Sequence, residues 1–221
     1  MRIQGVLFDM DGVLIDSEQL GMKVFNRECE FLGLDTGDVF YRILGTTAAA
    51  SRKICRERLG EDFPYDQVLG AVFQATLSAA MDGSMPLKPG LTQCLEELKE
   101  MGIRRAIATS TASFRVEKYL QGIPAFRGQF DGVICGDFLA HSKPEPDIYL
   151  AAAQVLNLSP ENCLGVEDSR AGVESVHRSG AYCVMIPDLL PFGEDFAPWV
   201  DRVLPSLTEL PGLIREINEE A

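Results

Sequence analysis

The amino-acid sequence predicts an α/β protein: a Rossmann-like open parallel sheet covered by helices, with a helical bundle inserted after the first strand. Three observations lead there. Short apolar runs recur along the chain and alternate with helical patterns. Glycines stand where several of those helices should end. One long stretch near the N-terminus holds helical patterns alone. With 221 residues, 46% of them hydrophobic, the chain is long enough for one large core and a smaller insertion.

The runs that read as buried parallel strands are residues 3–9, 105–109, 132–135, 163–167 and 182–186, each short, rich in Val, Ile and Ala, and bounded by Gly, Pro or charge. Between them, helical periodicity covers 91–101, 113–120, 147–156 and 171–179. Gly102, Gly122 and Gly180 follow three of these, where a helix terminus needs positive φ. Alternation of this kind implies right-handed crossovers and a parallel sheet with both faces covered. From about Ser17 to Gly83 the alternation stops, and four helical patterns follow one another at 18–32, 38–44, 48–59 and 65–80. Helices that never return to the sheet must form their own bundle. The expected organisation is therefore a core of residues 1–15 and 85–221 and an inserted cap of residues 16–84, close over the end of the first strand.

Charge and composition narrow the function. A formal net charge of −13 argues against nucleic acid and anionic membrane surfaces as partners. No apolar run is long enough for a transmembrane helix, and the N-terminus has no signal-peptide pattern. The six cysteines, at 29, 55, 94, 135, 163 and 183, are scattered and read as buried small hydrophobes in a reducing cytoplasmic setting.

In an open parallel sheet, ligands collect at the carboxyl ends of the strands. Asp9 and Asp11 stand there after the first strand and Thr109-Ser110 after the second. Lys143-Pro144 follows the third, and Glu167-Asp168 the fourth. Carboxylates crowded this way repel, and burying them unpaired is prohibitive. An octahedral Mg²⁺ resolves the conflict, because it takes oxygen ligands and leaves room for water and a substrate phosphate. A lysine and hydroxyls then cover the phosphate oxygens, which makes a small phosphorylated metabolite the expected partner. Asp9 and Asp11 leave the strand on alternate residues, so one can attack phosphorus while the other stands beside the leaving oxygen. Gly12 lets the backbone turn sharply next to them.

The segment Asp9-Met10-Asp11-Gly12-Val13-Leu14-Ile15-Asp16-Ser17-Glu18 resembles the signature of the haloacid dehalogenase superfamily, in its phosphatase and phosphomutase branch with a four-helix cap. Thr109, Ser142-Lys143-Pro144 and Gly165-Val166-Glu167-Asp168-Ser169 resemble the remaining three motifs in the right order. The resemblance implies Asp9 as nucleophile and Asp11 as general acid and base. It implies Thr109, Ser110 and Lys143 as phosphate-binding residues. Mg²⁺ would be held by Asp9, the Asp11 backbone carbonyl and Asp168, with Glu167 in or near the shell. It also implies a phosphatase rather than a β-phosphoglucomutase-like mutase. Mutases of that group carry a histidine on the first cap helix and an arginine after a cap glycine, where this chain has Gly21 and, after Gly45-Thr46-Thr47, Ala48. A non-catalytic binding protein is the alternative of another class, and the intact Asp9, Asp11, Lys143 and Asp168 argue against it.

Other residues have plainer expected roles. Asp137 and Asp147 read as loop and helix-start residues, and Asp16 and Ser17 as openers of the first cap helix. His141 and His177 show no partner in the sequence. Arg52, Lys53, Arg56 and Arg58 read mostly as a solvated helix face. The apolar stretch 191–199 fits either a loop packed on the core or a contact between subunits.

Overall fold

The computed structural model describes residues 2–44, 46 and 48–221. Among these, six parallel strands form one sheet: β1 (Gly5–Phe8), β2 (Arg104–Thr109), β3 (Gly132–Cys135), β4 (Cys163–Glu167), β5 (Tyr182–Met185) and β6 (Arg202–Val203). Their order is β3-β2-β1-β4-β5-β6, so β1 lies between β2 and β4. The chain first builds outward through β2 and β3, then starts again from the other side of β1 with β4. That reversal opens a crevice at the carboxyl ends of β1 and β4, the ligand position of doubly wound sheets.

The alternating side chains of β1 feed two apolar layers. Val6 and Phe8 join one cluster, whose helical residues come mainly from α5 (Leu91–Glu100), α6 (Ser113–Gly122) and α9 (Leu210–Glu219). Leu7 joins the other, built on α7 (Asp147–Val155) and α8 (Arg170–Ser179). All three side chains are fully buried, each contributing roughly 1.5–3 kcal/mol. The stretch 191–199 packs on the second layer through buried Phe196 and half-buried Trp199. The six cysteines are buried and free.

Between β1 and β2 run α1 (Ser17–Phe31), α2 (Val39–Ile43), α3 (Ala48–Leu59) and α4 (Tyr65–Met81). They enclose an apolar cluster of their own around Phe25, Phe40, Phe63 and Val68. The two connections to the sheet run side by side. Ile15 and Leu87 form an antiparallel bridge, the Asp16 amide donates to the Pro86 carbonyl at 2.8 Å, and the Lys88 amide donates to the Leu14 carbonyl at 3.1 Å.

Gly102 and Gly180 take the expected positive φ, 71° and 84°. Gly122 does not: it is the last residue of α6, outside the positive-φ set. Its reason is proximity, because a Cβ there would lie 2.1 Å from the Ala80 carbonyl oxygen of α4. No helix among the described residues is long and apolar enough to cross a membrane.

Candidate active site

The carboxyl end of β1 is tied to β4 through the Asp9 amide, which donates to the Val166 carbonyl at 3.0 Å. Asp9 is 8% exposed. Lys143 Nζ donates to Asp9 Oδ1 at 2.5 Å, to Glu167 Oε1 at 2.5 Å and to the Ala108 carbonyl at 3.2 Å. One ammonium thus joins the ends of β1, β2 and β4. Glu167 is fully buried and surrounded by donors. Tyr149 Oη reaches Oε1 at 2.7 Å, while Oε2 accepts from the Asp168 and Ser169 amides at 3.1 and 3.2 Å and from Ser169 Oγ at 3.0 Å. Gly172 in the first turn of α8 leaves room for this carboxylate, since a Cβ there would fall 1.9 Å from Glu167 Cδ. Glu167 therefore holds Lys143 in place.

Asp11 faces the other way, toward the cap. Its Oδ1 accepts from Ser17 Oγ at 2.5 Å and its Oδ2 from Thr111 Oγ1 at 2.6 Å. Ser17 is therefore more than a helix opener, and Asp16 makes no side-chain cap at all. Asp16 instead pairs with Lys88 at 3.4 Å, which also meets Asp188 at 2.6 Å. Thr109, expected to face a ligand, is buried, and its Oγ1 accepts from the Thr111 amide at 3.1 Å. Ser110 is exposed. Of the three hydroxyl residues after β2 it is Thr111 that reaches a carboxylate, Asp11, and the sequence reading missed it.

Asp11, Ser17, Glu18 and Thr111 form one wall of a cavity of about 470 Å³ between the α1–α4 bundle and the sheet. Phe40, Leu69 and Phe73 supply apolar surface, and Arg115 is the one cation lining it among the described residues. Arg115 lies over the Phe73 ring at 5.0 Å and donates to Tyr119 Oη at 2.6 Å. The cap's basic run stays outside: Arg52 pairs with Asp66 at 2.6 Å, and Lys53 with Glu57 at 3.7 Å. Asp137 does serve a helix start, accepting from Ser113 of α6 through the amide at 3.1 Å and Oγ at 2.7 Å. His141 has a partner, Asp147, at 3.0 Å.

Acid crowding sets the electrostatics. Burial pushes the Asp9 carboxyl up to about 7 against the pull of Lys143, with Glu167 and Asp11 adding to the rise. Burial and the Asp11 and Asp188 carboxylates push Glu18 up to about 8. Asp168 is driven well above the usual carboxylate range by burial, then by Glu18 and Glu167. Burial would lower Lys143, but Asp9 and Glu167 win and hold it above its ordinary value. Oxygens of Asp9, Glu167 and Asp168 lie within 4.8 Å of one another, a set able to hold a metal ion. Asp168 accepts no hydrogen bond from the described residues, whereas the Glu167 oxygens are engaged. A Cβ on Gly12, where φ is 80°, would lie 2.3 Å from Asp168 Oδ2, so this carboxylate sits directly against the turn after Asp9. Oxygen donors, unmet negative charge and close spacing fit a hard divalent cation.

The profile of haloacid dehalogenase-like hydrolases matches residues 3–180. The chain belongs to this family. Within the haloacid dehalogenase-like hydrolases it falls in the phosphatase and β-phosphoglucomutase-like branch. It is 34% identical to Protein CbbY of Cereibacter sphaeroides, over 96% of this chain and 95% of that one. It is 31% identical to the phosphorylated carbohydrates phosphatase of Thermotoga maritima, over 80% of this chain and 82% of that one. Crystal structures of CbbY from Rhodobacter sphaeroides, one with phosphate and one of a variant with xylulose-(1,5)bisphosphate, each share a TM-score of 0.74 and 30% identity with it, covering 94% of this chain and 96% of theirs. Of the residues that the resemblance sets against a mutase, Gly21 and Ala48 both line the cavity; Gly45 and Thr47 lie outside the described residues.

Proposed function

We propose that the chain is a Mg²⁺-dependent phosphatase acting on a small phosphomonoester of the sugar- or polyol-phosphate kind. Asp9 is the nucleophile and Asp11 the general acid and base, and residues 16–84 act as a cap over a core of 1–15 and 85–221. One observation carries the reading: two carboxylates two residues apart have opposite surroundings. Asp9 rests on a buried ammonium, and Asp11 rests on two hydroxyls at the wall of the cavity.

Asp9 attacks the phosphorus, and the bond from phosphorus to the leaving oxygen breaks as Asp11 gives that oxygen a proton. The deprotonated Asp11 then takes a proton from a water that attacks the phosphoaspartate, releasing phosphate and restoring Asp9. Ser17 and Thr111 orient Asp11 for both transfers. Lys143, fixed by Glu167, orients Asp9 and faces the charge of the phosphoryl oxygens. In this reading Thr111 acts on Asp11, not in the phosphate-binding role first expected of Thr109 and Ser110. Mg²⁺, held by the side chains of Asp9 and Asp168 and the Asp11 carbonyl with Glu167 beside them, would supply the positive charge that the acid cluster and the phosphoryl group require. Gly21 and Ala48 bring no proton donor or cation to the cavity, which favours hydrolysis over transfer between two ends of a sugar.

The test is release of phosphate from p-nitrophenyl phosphate with and without Mg²⁺, followed by a panel of phosphorylated metabolites. The wild type should turn over only with the cation, and Asp9→Asn should be inactive. A wild type silent at every Mg²⁺ concentration overturns the proposal, and interconversion of glucose 1- and 6-phosphates replaces it with a mutase.

A further inference from the structure

A second group of acids overlaps the first. Glu18, Asp168 and Asp188 each offer an oxygen within 4.8 Å of the others, so the two groups share Asp168. Glu18 comes from the first cap helix, and Asp188 from the loop after β5. The side chain of Asp188 is 4% exposed; its Oδ1 accepts from Lys88 at 2.6 Å, while its Oδ2 is buried without a partner. Neither Glu18 nor Asp168 accepts a hydrogen bond from the described residues. Of the three carboxylates only Asp188 therefore meets an ammonium, one it shares with Asp16, and its second oxygen is left as a buried acceptor, which is costly unless something outside the protein satisfies it. A cavity of about 240 Å³, lined by Glu18, Asp168, Ser169 and Arg170, opens beside two of the three carboxylates, while Asp188 stands behind its wall.

A bound Mg²⁺ keeps several of its waters, and these are strong donors. Two oxygens that share one such water lie roughly 4.5 Å apart when each hydrogen bond is about 2.7 Å long. We infer that Asp188 and Glu18 form an outer row of carboxylates accepting hydrogen bonds from the water ligands of the cation held at Asp9 and Asp168, with Lys88 as a competing charge on Asp188. They are positioning residues, and this role rests on the Mg²⁺ reading above. Lys88 lies on one connection to the cap and Asp16 on the other, so the same ammonium that tempers the cation site also fastens both connections.

The test is calorimetric titration of Mg²⁺ alone into the full-length wild type and three variants, in about 0.5 M KCl so that charge effects through solvent are screened. Asp188→Asn should weaken Mg²⁺ binding about tenfold, as loss of an outer partner does elsewhere. Lys88→Gln, which keeps a donor to Asp188 but removes the charge, should tighten it about twofold or more. Glu18→Gln, at a half-buried position that tolerates the change, should weaken it several-fold. If Asp188 served only to anchor Lys88, the first two variants would shift affinity in the same direction or not at all. That result, or an unchanged affinity in Glu18→Gln, overturns the inference while leaving the phosphatase proposal standing. Absence of Mg²⁺ binding in the wild type overturns both.

Discussion

Lys143 and Glu167 are a buried pair whose members fail separately. Lys143→Met should remove turnover and destabilise the protein by roughly 3–5 kcal/mol, since Glu167 is left buried and charged. Adding Glu167→Gln should recover much of the melting temperature and none of the activity; equal losses in single and double variants would show that the pair is not coupled. The three consecutive hydroxyl residues 109–111 separate in the same manner. Thr111→Val should lower kcat about 10- to 100-fold by freeing Asp11, a part of the roughly 10²- to 10⁴-fold that a positioned acid–base group supplies. Thr109→Val, which removes only an acceptor for a loop amide, should act mainly on the melting temperature. If the two variants had equal kcat, the assignment of Thr111 would fall. The acids and the lysine were legible in the sequence because strand ends point at one crevice. Which of three adjacent hydroxyls meets Asp11 was not, because it depends on the turn after β2, which buries Thr109 and returns Thr111 toward Asp11. Arg115 escaped for a similar reason: it sits in the first turn of α6, four residues beyond Thr111, and only the meeting of α6 with α4 brings it to the cavity.

Where α4 crosses α6, side chains meet at Phe73, Phe114 and Arg115, and at Gly122 the backbones meet directly. Gly122→Ala places a methyl group into the Ala80 carbonyl, and overpacking of this kind should cost about 1–3 kcal/mol. The measurement is the melting temperature; an unchanged value would mean that the helices part freely. Gly122 looked like a helix terminator because glycine after an amphipathic run commonly is one, and a requirement for proximity leaves no separate mark in a sequence. Five strands and eight helices were readable from apolar runs and periodicity. Among the described strands and α-helices, two were not. β6 is two exposed residues long, too short for alternation to register. α9 carries Pro211 and Gly212 in its first turn; proline is tolerated there, yet the pair resembles a turn.

Across the whole molecule, the acid cluster makes stability depend on pH. Asp9 and Glu18 are raised from 3.8 and 4.5 to about 7 and 8, so between pH 5 and 8 the folded protein retains protons that the unfolded chain has released. Stability contributed by these groups is complete below their ordinary values and is lost as pH rises through the folded ones. Glu167, lowered despite its burial by Lys143 and its hydrogen bonds, runs oppositely and loses its contribution only as pH falls. In EDTA the melting temperature should therefore drop from pH 5 to pH 8, and Mg²⁺ should flatten the curve. A melting temperature that climbs over that range without the cation would contradict the crowding. The division into sheet and bundle was legible because a run of helices interrupts the alternation, whereas the face the bundle turns to the site depends on which side chains meet across the interface. The two connections, bridged at Ile15 and Leu87, enter and leave the bundle at a single point. A bundle from a relative could thus be grafted as a cassette between residues 16 and 86 without re-threading a strand, and a lineage could exchange its choice of substrate while inheriting its chemistry intact.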